Sequence, residues 1–361
     1  MQKDMHYYGT YCMARAAGFK RDAAKIVATS AQFVDDNATR DSIEMRDGAR
    51  LDVEASAHHT YDLDNTVKID QRFVWVPFHF LPGGEGESFT EKLICCEDSE
   101  NSKKMIDHAL SKSDSAFALE QMGVAAHVYA DTFSHYGFSG VSSRRNKVDN
   151  DSFVFEDLDP TIETYIKDKA VKYIEEYGEQ GGLMDNIKSW IAETASGALG
   201  HGAVMTYPDR PYLVWSFDYE YPEVRKVRRD NPASFLRGCK ALHNMFRRFL
   251  EKRSDFAADE GVVFSDIEAT VIDILSTQAA MQGRIEAWQK AAECGDLFEG
   301  DGESIPEYNE KEWHGQRGNI GQIEDSSEVT NLPVYRFYQA VAEHRWHVLR
   351  DLLPANSIVV V

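Results

Sequence analysis

The chain has 361 residues, which allows one large domain or two medium ones. Its 43% hydrophobic share supplies a sizeable core and excludes disorder as the default state. The formal net charge of −21 repels phosphate backbones over most of the surface and argues against long nucleic acid as a partner. Most of that charge needs no explanation beyond solubility, although bound metal could reverse the field inside a cleft.

The first residues, MQKDMHYYGT, contain no apolar core of a secretory signal. No apolar run is long enough to span a membrane. The cysteines Cys12, Cys95, Cys96, Cys239 and Cys294 are odd in number and form no CxxC pair. They suggest neither a disulfide framework nor a thiolate zinc site, so a reducing, cytoplasmic setting is expected.

In chain order, His6–Gly18 reads as a short helix stopped by Gly18. Arg21–Asp35 reads as a second, with Ala24, Val27, Ala28, Ala31 and Val34 at helical spacing. From about residue 50 to 80, RLDVEASAHHTYD and TVKIDQRFVWVPFHF alternate β-branched and aromatic residues, which predicts a β-hairpin excursion. LPGGEGE is a loop. Helices resume near Ser88, and Ser115–Ser134 is the strongest of them. SSRRNKVDNDS, from Ser142, reads as a polar surface loop. Further helices are predicted at Thr161–Tyr177, Met184–Leu199, Pro232–Lys252, Ser265–Ala292 and Pro333–Leu353. The stretch 293–330 reads as irregular, a lid or surface excursion. With no internal repeat and no linker, the expectation is a mainly α protein: one large helical domain over 1–361 with a small β excursion.

The text AAHVYADTFSHYGF places His127, Asp131 and His135 four residues apart. On an α-helix each such step rotates the side chain by only ~40°, so all three share one face. Imidazole and carboxylate are the donors zinc takes when thiolates are absent, and Asp131 could bridge two ions through its two oxygens. A His–Asp pair at this spacing is more often a plain surface pair. Here Ala125, Ala126, Val128, Tyr129 and Phe133 flank it. Burying such groups among apolar neighbours is costly unless something satisfies them, which favours metal.

Other candidates are His6 beside Asp4, Asp35 and Asp36 closing the second helix, His79 in PFHF, and His201 in a Gly-rich turn with Asp209 eight residues on. Taken singly, each also reads as a loop acid, a core histidine or a turn residue. Of His58 and His59, at most one could reach a shared cleft from a strand. His344 and His347 read as packing residues beside Trp346. There is no HExxH for a zincin and no Glu-x-x-His pairs for a di-iron bundle.

The order of these residues, over roughly Met1–Tyr212, resembles the zinc-dependent phospholipase C and single-strand nuclease superfamily. The D-x-F-S-H-x-G-F text resembles its heterokaryon-incompatibility protein C-like branch, and the DMHYYG start resembles an uncharacterised bacterial family. The resemblance implies a nearly all-helical fold holding two or three zinc ions, in sites that iron or manganese could also occupy. It implies His6, Asp35, His79, His127, Asp131, His135, His201 and Asp209 as ligands, with Asp35 doubling as a general base. Secreted members of the superfamily also ligate through an N-terminal Trp amine. This chain begins MQKDM, so Asp4 or a water is expected in that place. Met205 stands where an acid is usual, leaving Asp209. The function implied is metal-dependent hydrolysis of a small phosphate ester, as a phosphodiesterase or phospholipase C-like enzyme. The alternative is a non-catalytic, metal-stabilised structural or interaction protein.

Overall fold

The computed structural model describes residues 1–58, 71–179, 200–258, 261–298 and 302–360, the side chains of 170–179 excepted. The first helix opens as a π-helical segment, Asp4–Gly9, and continues as α1 (Thr10–Ala16). Gly18, at φ 107°, ends it in a conformation that suits glycine. Helix α2 (Arg21–Asp36) follows. A hairpin of β1 (Asp41–Glu44) and β2 (Arg50–Val53) pairs Ile43 with Leu51 around a turn at Gly48.

Here the expected β excursion needs correction. The hairpin starts before residue 50, and the aromatic run Gln71–His79 is π-helical. An apolar segment buried on several sides carries no diagnostic alternation, and Pro77 cannot serve a central strand. The wide helical turns instead find carbonyl partners outside: His344 Nε2 donates to Pro77 (2.8 Å) and Arg345 Nε to Phe73 (3.0 Å).

Helices α3 (Glu100–Ser111) and α4 (Ala118–His135) come next, then β3 (Val154–Glu156) and α5 (Pro160–Glu179). The expected helix Met184–Leu199 lies outside the described residues. Strands β4 (Val214–Tyr219) and β5 (Arg225–Asp230) complete an antiparallel sheet in the order β3-β4-β5, which the sequence reading missed. Its charged strand, RKVRRD, has no apolar alternation to betray it.

Helix α6 (Asn231–Lys252) is capped by Asp230, which accepts from the Ala233 amide. The single helix expected over Ser265–Ala292 is two, α7 (Phe264–Leu275) and α8 (Met281–Glu293). Gln278, in the break, accepts from the Asp159 amide and donates to the Asp157 carbonyl. The stretch 293–330 is not wholly irregular: α9 (Glu310–Asn319) buries Trp313 against Phe33 and Phe337. Helix α10 (Pro333–Trp346) continues as the π-helical His347–Leu352. Among the described residues no helix is long and apolar enough to cross a membrane.

Helix α4 lies at the centre, every residue from Ala118 to His135 buried, with α2, α6, α10 and α3 packed around it. A large apolar cluster fills the spaces between these helices. A second cluster, with Phe80, Phe138, Trp215 and Phe217, packs the three-stranded sheet against the C-terminal end of α4.

Helices α2 and α4 pack tightly at Gly123, where an added Cβ would lie 2.4 Å from both Ser30 Cβ and the Val27 carbonyl oxygen. In an exposed helix interior Gly→Ala stabilises by about 1 kcal/mol. Here Gly123→Ala is expected to destabilise by about 2–3 kcal/mol through overpacking, read as a lower midpoint in urea. Glu120, one turn earlier, is almost fully buried, and burial raises its carboxyl to about 7 despite opposing help from its own backbone amide and Arg336. An unfolded Glu titrates near about 4.3. Between those values the folded state keeps a proton that the unfolded chain has released. Stability therefore falls as pH rises through that window and levels off above it. Glu120→Gln is expected to remove this slope and to gain roughly 3 kcal/mol on the wild type as pH rises from 4.5 to 8, measured by thermal melts across that range.

Candidate metal centre

The four-residue repeat on α4 turns His127, Asp131 and His135 towards one region, as helical geometry requires. Helix α2 ends with Asp35 at its rim. The two π-helical segments deliver His6 and His79, and the 3-10 turn after Gly200 delivers His201 with Asp209. All eight expected residues meet. His127 Nε2 lies 3.3 Å from His79 Nδ1 and 3.3 Å from Asp131 Oδ2. His79 Nδ1 is 3.5 Å from Asp131 Oδ2, and Asp35 Oδ1 is 3.8 Å from both rings. His6 Nε2 lies 3.2 Å from Asp131 Oδ1. His135 Nε2 is 2.9 Å and His201 Nε2 3.6 Å from the Asp209 carboxylate.

Hydrogen bonding fixes the neutral tautomer of four of the five rings. A carbonyl only accepts, so the nitrogen facing it must carry the proton. His127 Nδ1 donates to Ala31 (2.8 Å), His79 Nε2 to Ser56 (2.9 Å), His135 Nδ1 to His79 (2.7 Å) and His201 Nδ1 to Met205 (2.6 Å). In each neutral ring the other nitrogen is then a bare lone pair, and all four point inward. His127 and His79 aim theirs at one another; His135 and His201 aim theirs at a carboxylate. Both nitrogens of His6, and Asp131 Oδ2, are buried without a hydrogen bond.

Acceptors facing acceptors repel unless a cation lies among them, and an anchored imidazole is how proteins orient metal ligands. The spacings agree. Ligands about 2.0–2.2 Å from a tetrahedral ion stand roughly 3.3–3.6 Å apart. Among the described residues two donors reach this set of acceptors: the Ser134 hydroxyl, 3.5 Å from Asp209 Oδ1, and the α-amine of Met1. It pairs with Asp131 Oδ1 and lies 3.3 Å from Asp209 Oδ1 and 3.4 Å from His135 Nε2. Asp4, expected near this place, points away and is held by Arg284 in a buried ion pair (2.6 Å).

Three clusters could each hold an ion: Asp35–His79–His127, His6–His127–Asp131 and His135–His201–Asp209. Asp131 joins the first two, its Oδ2 towards His79 and His127 and its Oδ1 towards His6. The electrostatics favour bare imidazoles at His6 and His201 beside ionised Asp131 and Asp209. Burial lowers His6 to about 4, with His127 and the Met1 amine adding to the effect. Burial likewise lowers His201 to about 4. Burial opposes ionisation of Asp131, yet His135, the Met1 amine, His127 and His6 hold it well below the usual carboxylate range. Asp209 is held low against burial by the Met1 amine, His201 and His135. Burial opposes charge on His127, but Asp131 and Asp35 outweigh it and raise its pKa. Those two acids and Asp209 also raise the Met1 amine to about 11 against its burial.

Most of the donors are buried, whereas Asp35 is 32% exposed and His201 17%. Asp36, next to Asp35, turns aside to accept from Tyr308. His58 is buried, and His59 lies outside the described residues. His344 bonds the Pro77 carbonyl and packs on Phe78. The sequence reading missed the Met1 amine and the four anchoring carbonyls; backbone groups leave no residue-type signal.

No curated protein and no solved structure matches the chain. A family model matches residues 1–352, nearly the whole length. The chain belongs to DUF6765, a family of unknown function.

Proposed function

We propose that the His/Asp cage holds two or three divalent ions and that the protein is a metal-dependent hydrolase of small phosphate esters. One observation carries this reading: four imidazoles, each locked to a carbonyl by one nitrogen, turn their remaining lone pairs on each other and on carboxylates. Imidazole and carboxylate donors without thiolate favour zinc, with iron or manganese as substitutes. The reading is supported by the order of the ligands, which resembles the zinc-dependent phospholipase C and nuclease superfamily.

Asp35, His79, His127 and Asp131 Oδ2 would hold one ion; His135, His201 and Asp209 a second; His6 and Asp131 Oδ1, beside the Met1 amine, a third. Bound there, the ions supply a water of lowered pKa and counter-charge for a phosphoryl oxygen. The protein's own groups do the rest. The carbonyl anchors keep each ring turned inward. The apolar flank of Trp75, Phe80 and Phe138 limits water around the rings. Asp35, the most exposed donor, accepts the proton of an attacking water. The acidic surface restricts the substrate to a small ester.

A second reading, a closed metal site with a purely structural role, is favoured by the near-complete burial of most donors. Chelation separates the two. The hydrolase reading expects the stripped protein to keep its far-UV circular dichroism, lose phosphodiesterase activity on a chromogenic diester and regain it with zinc. Loss of fold, with no hydrolysis by the zinc-loaded protein, would establish the structural role instead.

Elemental analysis is expected to find roughly two to three equivalents of transition metal in the wild type. Asp131→Ala should lose most of it; equal content in both proteins would refute the bridging role. Asp35→Asn is expected to lower kcat by about 10²-fold or more with the fold intact, as measured by steady-state kinetics.

A further inference from the structure

We infer that Arg229, near the end of β5, and Asn231, which opens α6 directly after it, are positioning residues that set the spacing of His135 and Asp209 and so shape one cluster of the centre. The inference concerns how that cluster is built; its consequence for metal affinity rests on the proposed function.

Arg229 is 1% exposed. Its Nη2 donates to the Ser134 carbonyl (2.5 Å) and its Nη1 to the Tyr136 carbonyl (2.9 Å). These are the carbonyls on either side of His135. The guanidinium also lies over the Tyr136 ring, 3.7 Å from its centre. Asn231, equally buried, donates through Nδ2 to the Tyr207 and Arg210 carbonyls, both at 2.8 Å. That pair brackets Asp209. The Asn231 Oδ1 is itself fixed by Trp215 Nε1 (3.2 Å), and its amide donates to Leu213 (3.0 Å).

Two side chains two positions apart thus grip the backbone on both sides of two candidate ligands. Each grip answers a local need. The last carbonyls of α4 have no partner within the helix, and a charged guanidinium is a strong donor for them. The turn that carries Asp209 belongs to no strand or helix of its own, so a carboxamide supplies the bonds that a ladder otherwise would. Because β5 is fixed in its sheet by β4, the distance between the grips, and hence between His135 and Asp209, is fixed with it. Among the described residues no comparable clamp from this sheet reaches Ala31 or Ser56, which anchor His127 and His79 from other elements.

The test is selective disturbance. Asn231→Asp keeps the shape but turns a donor into an acceptor facing two carbonyls. Arg229→Lys keeps the charge but loses the fork that spans two carbonyls. In metal-free protein, imidazole 15N–1H spectra should show the His135 and His201 rings shifted in either variant and the His79 and His127 rings unmoved. Titration with zinc against a chelating dye should show one class of site weakened by about tenfold or more, the others unchanged. Equal shifts of all four rings, or none, would overturn the clamp, as would uniform weakening of every zinc site. Should Asn231→Asp not fold, Arg229→Lys carries the same measurements. A wild type that takes up no zinc would overturn the proposed function, while the ring spectra still decide the clamp.

Discussion

The interior of this protein is built around lone pairs that point at one another. As neutral rings, His127 and His79 present bare nitrogens 3.3 Å apart, and His135 presents one to Asp209. Such contacts are costly in a low-dielectric interior, where an unpaired polar group forfeits its hydration without return. The fold nevertheless enforces them, because each ring is tethered from behind by a carbonyl of a different segment: the end of α2, the chain after β2, the end of the second π-helical stretch and the turn after Gly200. The architecture can be read outward from that requirement.

Helix α4 supplies the common edge. Its four-residue repeat sets His127, Asp131 and His135 in register, and Gly123 lets α2 come close enough to bring Asp35 and the Ala31 carbonyl alongside. The π-helical segments at Asp4–Gly9 and Gln71–His79 each carry one ligand candidate. Their widened turns are less favourable than α-helix, and such turns are frequent at functional sites because they re-aim a side chain. The centre also lies where the two apolar clusters meet, with His135 stacked on Phe80 of the smaller one and His6 on His127 in the larger.

Legibility in the sequence followed periodicity. The α4 stripe could be read directly, since three donors at four-residue steps among Ala125, Ala126 and Phe133 fit few other purposes. His6, Asp35, His79, His201 and Asp209 are isolated residues with bland local readings, and only their order suggested a common destination. What stayed hidden was carried by backbone or by charge. The tethering carbonyls have no residue signature. Strand β5 reads RKVRRD, a solvated run, although its Arg229 is buried deep inside. The aromatic run before His79 looked like strand because an apolar segment packed on several sides loses its period.

The complete burial of α4 has a consequence for the timescale of the centre. A helix with a wet face can fray or open locally, exchanging its amides without disturbing the rest of the molecule. From Ala118 to His135 no such face exists. Opening this helix means dismantling its contacts with α2, α3, α6 and α10 together. Its amides should therefore exchange with solvent only through global unfolding. The coordinates of His127, Asp131 and His135 then last as long as the fold itself, and any adjustment to an incoming molecule is left to the rim, where Asp35 and His201 reach water.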